Sequence, residues 1–109
     1  MFRRAQPAIP PVLRRGDLVV DTGRRCAWRA GRPLDLAPKE FGVLEVLLAA
    51  GGRAVSAEEL LERVWDEAAD PFTSTVKTTI RRLRAKLEHD PTRPRFIQTV
   101  WGIGYRFAP

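Results

Sequence analysis

Apolar residues recur along this chain with more than one spacing, and each spacing predicts a different element. From Gly16 the stretch GDLVVDTGRRCAWRAGRPLDL holds three short apolar pieces, at 18–20, 26–28 and 34–36, broken by Asp-Thr-Gly and Ala-Gly turns. Short pieces between turn formers predict a small antiparallel meander. After Pro38, well suited to a first helical position, Phe41, Leu44, Leu47 and Leu48 recur at helical spacing until Gly51 and Gly52 stop the run. Ala37, just before that helix, is a poor cap. A second helix opens at Ser56-Ala-Glu-Glu59, where the serine hydroxyl and the Glu59 carboxylate can serve two orphan amides as a capping box. Its core positions are Leu60, Leu61, Val64 and Trp65. A third helix shows Val76, Ile80, Leu83 and Leu87 at i, i+4, i+7 and i+11, the mark of a face buried in a core. Asp90-Pro91 and Pro94 mark its exit. The chain then closes with FIQTVWGIGYRF, which reads as a glycine-pinned hairpin.

The third helix also carries a second pattern. Opposite its apolar stripe lie Ser74, Thr78, Arg81, Arg82 and Ala85, with Lys77 and Arg84 to one side, and no acid occurs between residues 73 and 85. A helix face that is merely solvated normally mixes Glu with Lys at i, i+4. Short side chains alternating with long cations instead suit insertion into a groove of nucleic acid.

Composition agrees with that reading. The 109 residues make one domain, and the net charge of +6 points to a polyanionic partner. Of the 19 cations, 16 are arginine, which favours forked contacts to phosphate and to guanine edges, although a GC-rich genome produces the same bias. Residues 1–15 combine arginine with prolines at 7, 10 and 11 and read as a linker or disordered arm, leaving 16–109 as the folded domain. The single cysteine, Cys26, cannot form an internal disulfide and is expected half-buried in a strand. No ligand cluster accompanies the lone His89, so neither a metal nor a cofactor is expected. No apolar run approaches the roughly 18 residues of a membrane helix, and the first residues lack the apolar segment of a signal peptide. A soluble, cytoplasmic protein is the expectation. The sequence has no glycine-rich phosphate loop, evident pair of carboxylates or nucleophile beside a histidine, which argues against an enzyme. A protein-interaction module is the alternative to DNA binding, since the same fold can serve both.

Strands, helix, helix, acidic loop, basic helix and hairpin occur in that order. The segments LAPKEFGVLEVLL, SAEELLERVW, TVKTTIRRLRAKLE and IQTVWGIGYRF resemble the OmpR/PhoB-type winged-helix effector domain of bacterial two-component response regulators, over about residues 16–107. The resemblance implies an α+β fold: a winged helix-turn-helix in which an N-terminal antiparallel β-sheet packs on a three-helix bundle and a C-terminal β-hairpin forms the wing. It implies a transcription regulator whose third helix enters the major groove of double-stranded DNA while the wing reaches the minor groove.

The resemblance also implies site residues. Thr75 and Arg84 would contact phosphate, while Thr78, Arg81 and Arg82 would face or flank base edges. Ser74 and Lys77 complete the helix face, but stand where many relatives have arginine and aspartate, and Thr79 replaces a frequent histidine. In the wing, Trp101 stands where many relatives have arginine. It either stacks on the DNA backbone or packs the wing's base, and packing is expected because a large ring is more often buried than bound. Arg106 is a candidate phosphate contact. The acidic loop, with Asp66, Glu67, Asp70 and Phe72, matches the place where family members contact RNA polymerase. Further implied partners are a receiver domain and its sensor kinase in a longer protein, from which this chain reads as a fragment. Two copies on a direct-repeat promoter site are implied as well, the isolated domain being monomeric without DNA.

Overall fold

The computed structural model describes residues 12–65 and 73–108. Four antiparallel strands come first: β1 (Val12–Arg15), β2 (Leu18–Asp21), β3 (Cys26–Arg29) and β4 (Arg32–Pro33), adjacent in chain order. Period-two alternation drives Leu18 and Val20 of β2 and Ala27 of β3 into the core and turns Val19 and Trp28 outward, where they pair across the ladder. The sheet differs from the expected meander at both ends. Val12–Arg15, assigned from its arginines to the arm, is a strand that lies in register from Val12↔Asp21 to Arg15↔Leu18. The third apolar piece, residues 34–36, is not a strand. Pairing shifts upstream to Arg32 and Pro33 because Ala30 and Gly31, both at positive φ (51° and 78°), make a two-residue hairpin that fixes the register as Arg29↔Arg32. Cys26 is half-buried on β3, as expected.

Three helices follow: α1 (Pro38–Ala49), α2 (Ala57–Val64) and α3 (Thr73–Leu87). Ala37 has no side-chain acceptor, and the Glu40 carboxylate takes up the Ala37 amide instead, at 2.9 Å. At α2 the Ser56 hydroxyl accepts from the Glu59 amide at 3.0 Å, which is half of the expected capping box. The other half is replaced: the Glu59 carboxylate pairs with Arg53 and Arg63, two cations that outcompete one neutral amide. Phe41, Leu44, Leu47 and Leu48 from α1, Leu60 from α2, Trp65 just beyond it, and the α3 stripe form one core with Leu18, Val20 and Ala27. Leu61 and Val64 pack at its margin.

The hairpin expected at the end is present as β5 (Ile97–Val100) and β6 (Gly104–Phe107), in register from Ile97↔Phe107 to Val100↔Gly104. It is not free-standing. Tyr105 and Val55 exchange both backbone hydrogen bonds, at 2.7 and 2.9 Å, so the segment before α2 serves as a third rung. A Cβ at Gly104 would lie 2.1 Å from the Val55 carbonyl oxygen, which leaves room for no residue but glycine. Ile97 and Phe107 carry the hairpin's inner face into the core.

Candidate nucleic-acid interface

Burial of one side of α3 determines what the other side offers. Val76, Ile80, Leu83 and Leu87 are at most 1% exposed, so Ser74, Lys77, Arg81, Arg82 and Ala85 are turned to solvent. Thr78 is half-exposed and donates its hydroxyl to the Ser74 carbonyl at 3.2 Å. Thr75 is also partly exposed. Thr79 lies on the core side, buried, with its hydroxyl on the Thr75 carbonyl at 2.9 Å, so it is not part of the outward face. Lys86 reaches back to α1 and pairs with buried Glu40 at 2.7 Å. Burial opposes ionisation of Glu40, but the Lys86 hydrogen bond, the Ala37 amide and the charges of Lys86 and Arg82 outweigh it and hold the pKa below 4.5.

Arg84 is placed differently from its neighbours. Its Nε donates to the Ile97 carbonyl at 3.0 Å and one terminal nitrogen donates to Thr99 Oγ1 at 2.9 Å, with the guanidinium above the Tyr105 ring. Burial lowers its pKa, as for a cation partly withdrawn from water. Arg84 therefore braces the wing against α3. Glu88, at 1% exposure, does the same one turn later: its carboxylate accepts from the amides of Arg95, Phe96 and Ile97 at 2.7 to 3.1 Å. Neither brace follows from the helical pattern. The only local signal was an acid standing immediately after an acid-free helix.

On the wing, Arg106 lies across from Gln98 and donates Nε to its Oε1 at 3.0 Å. Trp101 overturns the packing expectation: it is 89% exposed, and Ile103, beyond Gly102, is 60% exposed. The physical reason is that the ladder ends at Val100↔Gly104, so residues 101–103 form the turn beyond the last rung, where Gly102 takes φ 80°. Lys77, Arg81 and Arg84 of α3 and Thr99, Trp101 and Tyr105 of the wing line a single open concavity of about 320 Å³. Ser74, Arg82 and Arg106 do not line it. Asp66, Glu67, Asp70 and Phe72 lie outside the described residues.

Among the described residues no group of three or more His, Cys, Asp or Glu is placed to hold a metal ion, and no helix is long and apolar enough to cross a membrane. A family model described as "Transcriptional regulatory protein, C terminal" matches residues 31–107. The chain is 50% identical over 104 residues to the transcriptional regulatory protein CutR of Streptomyces coelicolor, covering 95% of this chain and 46% of that protein. It thus spans about half the length of the curated relatives it matches. Among solved structures it is similar to the response regulator DrrB, an OmpR/PhoB homologue from Thermotoga maritima (TM-score 0.82, 38% identity, 91% of this chain and 45% of that one). It is similar also to the DNA-binding domain of RstA from Klebsiella pneumoniae, solved in complex with the RstA box (TM-score 0.78, 31% identity, 90% of this chain and 97% of that one). With the order of elements, the buried α3 stripe and the braced wing, these likenesses lead to one conclusion: the chain belongs to the family of C-terminal, OmpR/PhoB-type winged-helix effector domains of transcriptional regulatory proteins.

Proposed function

We propose that this domain binds double-stranded DNA and regulates transcription, with α3 in the major groove and the wing at the minor groove. The observation that carries the reading is the acid-free outer face of α3, where Lys77, Arg81 and Arg82 are exposed because four apolar residues hold the opposite face in the core. Arg81 and Arg82 fork onto guanine edges, Thr78 meets a neighbouring base, and Ser74, Thr75, Lys77 and Arg106 fix register on phosphates. Arg84 contributes mainly by holding the wing, its guanidinium being engaged within the domain. Released counterions supply much of the affinity.

Titration of a fluorescent duplex over a range of salt tests this. Arg82→Ala costs about 1 to 3 kcal/mol on a site selected by the domain and relaxes preference there, whereas Lys77→Ala weakens all sequences and reduces the salt slope by about one. Equal weakening by Arg82→Ala on selected and random DNA removes its base-reading role. No binding even at low salt favours a protein-interaction module instead.

In the longer protein we place this domain behind a receiver domain answering to a sensor kinase in the cytoplasm, with two copies on direct repeats. Asp66, Glu67, Asp70 and Phe72 are the proposed contact to RNA polymerase. Footprinting of a promoter checks the arrangement: two adjacent protected half-sites in the same orientation support it, and a single one does not.

A further inference from the structure

Trp101 and Ile103 are two large apolar side chains exposed at 89% and 60% on the same turn, which is costly for a soluble domain to display without a partner. The turn is held in place. Gly104 fits tightly over Val55, Tyr105 is paired with Val55, and Arg84 binds Thr99 two residues before the indole. Trp101 also shares one concavity with Lys77, Arg81 and Arg84, so the apolar tip is continuous with the cationic face of α3. A partner that lies along those cations therefore meets the indole as well. In a domain of net charge +6 the partner that fits both is the backbone and groove wall of a duplex.

We propose that the wing tip is an apolar, donor-only probe of the DNA minor groove, with Trp101 and Ile103 against the deoxyribose walls and the Trp101 Nε1–H directed at the groove floor. Its chemistry sets a preference. Indole donates one hydrogen bond and accepts none, and isoleucine does neither. A·T pairs present only acceptors on the minor-groove floor, whereas G·C adds the guanine amino donor. An indole beneath that amino group leaves its groove-facing N–H, the one not paired with cytosine, buried without an acceptor, so the tip favours A·T at the pair it touches. An arginine there would add a phosphate-seeking charge; tryptophan adds a contact that salt does not screen.

This inference rests on the DNA-binding reading above, and the experiment separates the two. The 109-residue chain is titrated by anisotropy with a duplex it has selected from a random pool. Parallel duplexes carry 2,6-diaminopurine for adenine, or inosine for guanine, one pair at a time, which adds or removes the minor-groove amino group and leaves the major groove's pattern of donors and acceptors in place. One pair on the wing side is expected to lose about tenfold in affinity with diaminopurine, and Trp101→Ala is expected to abolish that discrimination while leaving the salt slope unchanged. Trp101→Phe provides a second readout through acrylamide quenching, since Trp65 is buried and Trp28 half-buried: the quenchable signal lost in Trp101→Phe should be shielded in the wild-type complex. Tight binding with Trp101 still quenchable, or with no pair sensitive to diaminopurine, overturns the wing-tip proposal alone. Shielding that grows with protein concentration in the absence of DNA also overturns it, by showing that the tip joins two copies. Failure to bind any duplex at low salt overturns the DNA-binding reading itself.

Discussion

Glu88 shows how one side chain can set the course of a loop. Its carboxylate accepts three consecutive amides that would otherwise be left without partners where α3 hands over to the wing. Glu88→Ala should therefore cost about 2 to 4 kcal/mol in urea denaturation, and Glu88→Gln, which keeps one acceptor oxygen, noticeably less. Glu40 makes a different prediction, one about pH. Its pKa in the fold lies below the ordinary 4.5, so the stability it contributes is fully present above that value and is lost as pH falls through the lower, folded one. Glu40→Gln should flatten the acid limb of the stability curve, which pH-dependent denaturation would reveal. The outward direction of Lys77, Arg81 and Arg82 was legible because the apolar stripe fixes the phase of the helix. Arg84 has the same composition but a different task, and its partners lie 13 and 15 residues along the chain, beyond any local pattern. Trp101 was misread because residue type alone favours burial, while the place where the ladder stops decides it.

At the scale of elements, the helices were readable because each carries several apolar positions and a start or stop signal. The sheet was less so. Strand β1 has the sequence VLRR, and its pairing with β2, not its own composition, makes it a strand. The β3–β4 hairpin turns on Ala30 and Gly31, and an alanine held at φ 51° is strained in a way glycine is not. Ala30→Gly should raise thermal stability by about 1 kcal/mol, and no change on melting would show that the turn is unstrained. Gly104→Ala should do the opposite. Its added carbon meets the Val55 carbonyl oxygen and forces the wing off its third rung, so amide exchange at Val55 and Tyr105 should accelerate.

For the molecule as a whole, the consequence lies in where the wing is attached. Glu88, the first residue past the end of α3, grips the chain as it enters β5, and Arg84, within α3, grips β5 at Ile97 and Thr99. Helix and hairpin thus have a separation that neither can adjust alone. In the proposed complex they work like the two jaws of a caliper locked at one gap. Such a gauge responds to the spacing and width of adjacent grooves before any base edge is read, so duplexes that must be over- or underwound to fit it pay in deformation energy. Substitutions on the outer face of α3 can then change which letters are read while the ruler they are read against stays the same length.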